Sequence, residues 1–180
     1  MREMCRLLIL CLVLFTTNCA ASNQCSIHTY HDEFDSYTIT YMLNNSLGKD
    51  GPDLSIYSSS SVLDLNAQKL VSKEGHVSYS LIIECVSQLE NGSWIFITSG
   101  ESLAFLIDGK RVGLTGNGSG NDRDLFHSGT IMERAEYPVS REMIRTISNA
   151  KEVKVRLIGS KGFIERYFVQ ANFNNFKKVC

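Results

Sequence analysis

The sequence lacks several features that would indicate a chemistry or a membrane topology. No catalytic, metal or cofactor motif stands out among its 180 residues, and it has only two prolines, no internal repeat and no low-complexity tract. No apolar run approaches the roughly 20 residues that a bilayer-spanning helix needs, so we expect no transmembrane segment in the mature chain. The 43% hydrophobic content is typical of a globular protein rather than a disordered one.

The first residues follow the order of a secretory signal. A short charged stretch at 1–6 precedes an apolar run, Leu7–Phe15, and small residues follow at Ala20 and Ala21. The apolar run is too short for a bilayer span. We therefore predict an export signal over residues 1–21, so that the protein acts in the periplasm, in the cell envelope or as a secreted protein.

The signal can be removed by two routes. Cys19 and Ala21 are the small residues that a cut after Ala21 requires, whereas a lipoprotein signal would be cut before Cys19 and would attach lipid to that cysteine. Asn18, directly before Cys19, favours the first route because the lipoprotein pathway prefers a small residue there. The remaining residues, 22–180, have the size of one domain, with a loose lead-in up to residue 35.

Three cysteines follow the predicted signal. An oxidising compartment permits a disulfide, and an odd number leaves one cysteine over. Alternation over 77–85 places Cys85 on the apolar face of a strand, where it acts as a small hydrophobic residue. Cys25 and Cys180 lie near the chain ends, which are often close together in a domain. We predict a Cys25–Cys180 disulfide and a free Cys85.

Alternation of apolar and polar residues predicts most of the secondary structure. The predicted strands cover 36–43, 77–86, 94–98, 103–107, 110–114, part of 123–139, 152–158 and 163–168. Residues 53–72 fit either a strand pair or a helical turn. Asn91-Gly92 and Asp108-Gly109 are typical of tight hairpins, so the four strands between 77 and 114 are predicted to form an antiparallel meander.

Two helices complete the predicted fold. Ser140 suits an N-cap, Glu142 lies in the first turn, and Met143, Ile144 and Ile147 form an apolar face. A C-terminal helix over 170–178 places Phe173 and Phe176 on one side. The predicted class is α+β: an antiparallel β-sheet, meander or sandwich-like, with a short helix near 140–149 and a C-terminal helix.

Several short motifs carry a resemblance to other proteins. They are Asp108-Gly109, Tyr137-Pro138-Val139-Ser140, Asn149-Ala150-Lys151 and Asn172-Phe173-Asn174-Asn175-Phe176. Together, over about the C-terminal two fifths of the chain, they resemble exported bacterial proteins and lipoproteins of unknown function. The resemblance implies a bacterial envelope location and brings no activity and no functional residues with it.

Three local patterns suggest chemistry but have simpler explanations. The cluster Cys25, His28 and His31 offers zinc ligands, but no fourth ligand accompanies it and Cys25 is the predicted disulfide cysteine. Ser148 and Lys151 have the spacing of a lysine-activated serine, yet the other motifs of that hydrolase class are absent. The glycine-rich run 116–120 lacks the following helix that a phosphate-binding loop requires. We predict no catalytic residue, no metal site and no cofactor.

Charge is distributed unevenly along the chain. Residues 22–140 hold seven basic and fifteen acidic residues, whereas 141–180 hold nine basic and three acidic ones. In the predicted strand over 152–158, Lys154 and Arg156 share the face opposite the core. These two residues, with Arg166 and Lys177, are the predicted binding site for an anionic partner, although a solvated surface is the simpler interpretation.

The sequence favours a non-enzymatic exported protein that binds another protein or an envelope component. Lipid headgroups, a cell-wall polymer and an acidic protein are the partners considered; nucleic acid is not favoured because no aromatic platform accompanies the basic residues. Membrane contact is expected only through a lipid at Cys19. The alternatives are a secreted inhibitor or effector of another protein and, as the weaker one, a small hydrolase.

Overall fold

The computed structural model describes residues 24–48, 61–88, 94–120, 123–125 and 129–179. The strands are β1 (Ser26–Asp32), β2 (Tyr37–Leu43), β3 (Val62–Val71), β4 (Val77–Gln88), β5 (Gly100–Ile107), β6 (Lys110–Gly116), β7 (Arg123–Leu125), β8 (Thr130–Val139), β9 (Val153–Gly159) and β10 (Gly162–Tyr167). The helices are α1 (Arg141–Asn149) and α2 (Gln170–Lys177). The protein is thus broadly α+β and mostly antiparallel β-sheet, as predicted. Among the described helices, neither has the length and apolarity needed to cross a membrane.

The strands form two antiparallel sheets. The first has six strands in the order β1-β2-β3-β4-β8-β7, and the second has four in the order β10-β9-β5-β6. In the first sheet Leu65, Ile83 and Ala135 are neighbours in register and all three are buried. In the second sheet Phe105 and Val155 form the matching buried pair. Each sheet therefore turns one apolar face inward, as strand alternation requires.

The predicted meander between residues 77 and 114 is wrong. Strand β4 pairs with β3 and β8, while β5 and β6 belong to the other sheet. Residues 94–98 form no strand, and Ile97 forms an isolated bridge with Gly159 of β9. The Asn91-Gly92 turn that was expected to join 94–98 to β4 lies outside the described residues.

A buried carboxylate explains why 94–98 is not a strand. Glu133 on β8 is 2% exposed and accepts hydrogen bonds from the backbone N–H groups of Ile95 and Phe96, both at 3.0 Å, and of Ile97 at 3.1 Å. The Ser119 hydroxyl donates to the same carboxylate at 2.8 Å. Three successive N–H groups are thus satisfied by a side chain instead of by a neighbouring strand.

The two sheets meet at both edges of the four-stranded sheet. Gly48 pairs with Tyr167 at the β10 edge, with N···O distances of 2.8 and 3.0 Å, while Ser46 bridges to Asp64 of β3. On the other side Gly116 of β6 lies so close to the Tyr137 ring of β8 that a Cβ there would overlap it. Residues 46–48 and the β6–β8 contact therefore join the sheets into one body.

One continuous hydrophobic core lies between these elements. It contains buried side chains of both sheets and both helices, among them Leu81, Phe105, Ile144 and Phe176. Cys85 is also part of it at 2% exposed, as predicted, and burial raises the pKa of its thiol to about 11. A thiol with so high a pKa is almost entirely protonated at neutral pH and is unreactive.

Both predicted helices are confirmed. Ser140 caps α1 by accepting a hydrogen bond from the Met143 N–H at 3.1 Å, and Ile144 and Ile147 are fully buried. On α2, Phe173 and Phe176 pack into the core. Asn172, on the same helix, donates to the Asn45 side chain at 3.0 Å. This buried amide contact holds α2 against the segment that joins the sheets.

Three other expectations are corrected or refined. The lead-in expected to be loose contains strand β1, which pairs with β2 over its whole length. The ambiguous region resolves as strand β3 from Val62 onward, and its first residues, 53–60, lie outside the described part. The returning strand expected within 123–139 is β8, with the short β7 as its edge partner.

Replacing Glu133 with Gln should destabilise the fold. Glutamine keeps one of the two acceptor oxygens. Its NH₂ group replaces the other oxygen and cannot accept hydrogen bonds, so buried N–H groups would be left unsatisfied. We expect the free energy of unfolding to fall by about 1–3 kcal/mol in urea denaturation. Glu136→Gln, on the exposed side of the same strand, is the control and should change it by less than about 0.5 kcal/mol. Equal losses in the two variants would contradict the role assigned to Glu133.

Candidate functional site

The outward face of the four-stranded sheet holds two of the four basic residues that the sequence singled out, Lys154 and Arg156. Because side chains alternate along a strand, Lys154 and Arg156 on β9 point away from the core, between the buried Val153, Val155 and Leu157. The register places Leu106 of β5 beside Lys154 and Ala104 beside Arg156.

This face carries a shallow depression of about 200 Å³, here called the cationic depression. Its lining residues are Ala104, Phe105, Leu106, Arg111, Lys154, Arg156, Ile158 and Glu165. Apolar groups of three strand residues, Ala104, Leu106 and Ile158, form the floor, and three cations surround it. Leu106 is 38% exposed although it lies on a central strand. The depression is therefore an exposed amphipathic surface on a rigid sheet.

Arg156 is held in place by two contacts with β10. Its Nε donates to the Glu165 carboxylate at 2.7 Å, and its guanidinium carbon lies 4.6 Å from the centre of the Phe163 ring. The Arg156 side chain nevertheless remains half exposed. An incoming anion could therefore bind its guanidinium group without a large rearrangement, because the group is already oriented.

Arg111 enters the same site from β6. It forms an ion pair with Glu101 of β5, whose side chain crosses directly over Gly113. A Cβ at Gly113 would overlap the Glu101 carboxylate in this position, so any larger residue there would displace that carboxylate. The Arg111 side chain is 61% exposed, so this ion pair is in contact with solvent.

Lys154 is the third cation. Its ammonium nitrogen lies 4.9 Å from the centre of the Tyr167 ring. The hydrogen bond with the Tyr167 side chain, followed by the charge of the same group, raises the pKa of Lys154 above its usual value. Lys154 therefore keeps its charge at neutral pH. With Glu101 and Glu165 included, the face carries three positive and two negative charges.

The two other predicted binding residues do not belong to this surface. Arg166 is 1% exposed and faces the core side of β10, where it donates to the Ser61 carbonyl at 2.9 Å and to the Glu165 carbonyl at 2.7 Å. It is opposite the buried Val155, so an external partner cannot reach it. Lys177 is exposed in the last turn of α2, on a different element from the depression.

Sequence reasoning missed Arg111 and its partner Glu101. The alternation over 110–114 already indicated the direction of Arg111. Val112 and Leu114 pack against the core, so Arg111 must point outward. What could not be read from the sequence was that β6 lies in the same sheet as β9, separated from it only by β5.

The predicted metal-ligand candidates are not brought together. His28 bonds to the Ser26 hydroxyl at 2.9 Å and stacks on Tyr41, whereas His31 bonds to the Thr38 hydroxyl at 3.1 Å. Three residues apart on a strand, the two histidines point to opposite faces. Within the described ranges, no group of three His, Cys, Asp or Glu residues could hold a metal ion.

The remaining candidate motifs have structural roles. Ser148 is 3% exposed and donates to the Arg145 carbonyl at 3.0 Å, inside the last turn of α1. The backbone N–H of Lys151 donates to the Asp108 carboxylate at 2.9 Å, which helps to close the β5–β6 hairpin against α1. In the glycine-rich run, the Ser119 hydroxyl donates to the Glu133 carboxylate, and the next described element is the strand β7.

No protein-family model, no curated protein and no solved structure matches the chain.

Proposed function

We propose that this is an exported, non-enzymatic protein that binds an anionic component of the cell envelope through the cationic depression. The observation that carries the proposal is the convergence of Arg111, Lys154 and Arg156, from two strands, around one apolar floor on a solvent-facing sheet. Cations gathered on one rigid face attract and orient a carboxylate or phosphate group more strongly than the same charges scattered over the surface.

The state of the cations supports binding. Two of them are paired with carboxylates: Arg111 with Glu101, whose side chains are 61% and 47% exposed, and Arg156 with Glu165, whose side chains are 50% and 13% exposed. An exposed pair such as Arg111–Glu101 contributes only about 0–1 kcal/mol, so an anionic ligand can compete with the Glu101 carboxylate for Arg111. Arg156 keeps its contact with Glu165 and offers a ligand the exposed half of its side chain. Guanidinium groups keep their charge in proteins and are suited to holding an anion rather than to transferring a proton.

Export is proposed from the signal-like first 21 residues, with Cys19 as the lipid attachment site if the lipoprotein route is taken. A Cys25–Cys180 disulfide is compatible with an exported protein. Cys25 packs against the core, and the charge of Lys178 acts on its thiol, opposing the larger effect of burial, which raises its pKa. The strand that begins at Ser26 therefore starts near the end of α2. Cys180 itself lies outside the described residues.

We also propose a sandwich-like relation between the two sheets. Their apolar faces contribute to a single buried cluster, which is what two sheets packed face to face produce.

Charge reversal in the depression should weaken anion binding. The probes are vesicles containing phosphatidylglycerol and, as a soluble carboxylate polymer, polyglutamate; co-sedimentation and fluorescence anisotropy measure the affinities. Because each surface cation contributes about 1 kcal/mol, Lys154→Glu with Arg156→Glu should lower the affinity about tenfold or more, and added salt should weaken wild-type binding. Vesicle binding alone would indicate a lipid partner, and binding of both probes a general anion site.

The matched control reverses two charges elsewhere. Lys177→Glu with Lys178→Glu changes the net charge by the same amount at the end of α2 and should leave most of the affinity intact. Equal weakening by the two double variants would show that only net charge matters. That result, or a wild-type protein that binds neither probe, would contradict the proposal.

The intact mass of the native protein tests export and the disulfide. We expect a chain that begins at Ser22 and is lighter than the fully reduced form by two hydrogen atoms, with Cys85 the only thiol alkylated after denaturation. Cys85→Ser should leave the disulfide unchanged. A chain that begins at Cys19 with acyl mass would establish the lipoprotein route, whereas an uncleaved chain beginning at Met1 would contradict export by this signal.

A further inference from the structure

A fully exposed aromatic ring lies at the tip of the β1–β2 hairpin. Phe34, in the turn between Asp32 and Tyr37, is 98% exposed. Two hydrogen bonds close the turn: the Asp32 carboxylate accepts from the backbone N–H groups of Phe34 at 2.9 Å and of Asp35 at 2.8 Å. Ser36 adopts a left-handed φ of 54° that completes the reversal. The hydrogen-bonded turn thus directs the Phe34 ring into solvent.

The surroundings of Phe34 are acidic. Asp32, Glu33 and Asp35 place three carboxylates within four residues of chain, and Tyr30, 51% exposed, lies next to them on β1. These residues are here called the acidic tip. A preorganised aromatic side chain is the usual anchor of a protein–protein contact. An anionic membrane surface would repel the three carboxylates, which argues against a lipid partner for this tip.

We infer that the acidic tip of one molecule inserts into the cationic depression of a second copy of this chain. The inference rests on the proposed function, because it names a partner for the same surface. The depression supplies the two features that the tip requires: an apolar floor of Ala104, Leu106 and Ile158 for the ring, and the cations Arg111, Lys154 and Arg156 for the carboxylates.

Size also favours an inserted side chain over a free small molecule. The depression, at about 200 Å³, is smaller than the about 300–1,000 Å³ typical of ligand pockets. A single phenyl ring with its flanking carboxylates is an occupant of suitable scale. The contact does not form within one molecule, because Phe34 is almost completely exposed. Its hairpin also belongs to the edge of the six-stranded sheet, whereas the depression lies on the four-stranded one.

The geometry of such a contact determines the kind of assembly. Tip and depression are different surfaces, so the interface is heterologous, and every added copy leaves one free tip and one free depression. The assembly therefore grows as a chain unless it closes into a ring. One anchor and a few exposed ion pairs form an interface smaller than stable complexes use, so we expect dissociation constants of about 1 μM to 1 mM and strong weakening by salt.

Sedimentation velocity of the purified mature protein over a range of concentrations tests the inference. The mass of the wild-type protein should rise with concentration. Three variants should each lower the association constant at least tenfold: Phe34→Ser, Glu33→Lys with Asp35→Lys, and Lys154→Glu with Arg156→Glu. Leu125→Ser, which removes another exposed apolar side chain, and Lys177→Glu with Lys178→Glu are the controls and should associate like the wild type.

Mixing the two charge-reversed proteins gives the decisive measurement. The tip made basic by E33K and D35K in one protein should fit the depression made acidic by K154E and R156E in the other. The unaltered tip and depression should also pair. Neither protein should self-associate alone, yet the mixture should recover wild-type association. Such rescue cannot come from misfolding, because two misfolded proteins would not restore each other.

Two outcomes would overturn the inference: a wild-type protein that stays monomeric at all concentrations, or self-association that Phe34→Ser leaves unchanged and mixing fails to restore. Failure of the inference is distinguishable from failure of the proposed function. A monomeric protein that still loses polyglutamate or vesicle binding on reversal of Lys154 and Arg156 would keep the proposed function. Association rescued by mixing, without binding of either probe, would make the depression an assembly surface alone.

Discussion

The structure depends on the buried carboxylate of Glu133. It projects from β8 of the six-stranded sheet and accepts hydrogen bonds from the backbone N–H groups of residues 95–97. The backbone of this segment in turn forms a bridge, through Ile97, to Gly159 at the end of β9 in the other sheet. A Cβ on Gly159 would overlap the Ile95 carbonyl, so glycine is required for this close approach. One side chain therefore links the two sheets from within, where unsatisfied backbone groups would cost about 1–3 kcal/mol each.

The candidate site follows from the same arrangement. The four-stranded sheet is held at β10 by the Gly48–Tyr167 pairing and near β5 by a hydrogen bond of 2.9 Å between the buried hydroxyls of Ser102 and Tyr137. Because the apolar face of this sheet packs against the core, the alternating residues of β9 must face solvent. Lys154 and Arg156 are thus presented on a rigid surface because Val153, Val155 and Leu157 are buried behind them.

Sequence reasoning succeeded where local patterns decide the structure. The N-cap at Ser140, the apolar side of α1, the burial of Cys85 and the outward direction of Lys154 all depend on residues within one turn or one strand. It failed at 94–98, whose alternation resembled a strand, because Glu133 satisfies that backbone from 36 to 38 residues away in the chain. Arg166 was expected at the surface because of its charge, but it is buried and donates to the carbonyl of Ser61, which is distant in sequence.

By itself the sequence determined the signal-like first segment, the class of most strands and helices, and which face of each is apolar, because these depend on short-range periodicity. Only the tertiary structure decided which strands share a sheet, and with it that Arg111 joins Lys154 and Arg156 while Arg166 is buried. It also decided that Phe34 is almost fully exposed at a hydrogen-bonded acidic turn. Strand order depends on long-range contacts such as those of Glu133, and local periodicity does not encode the partners of a buried polar group.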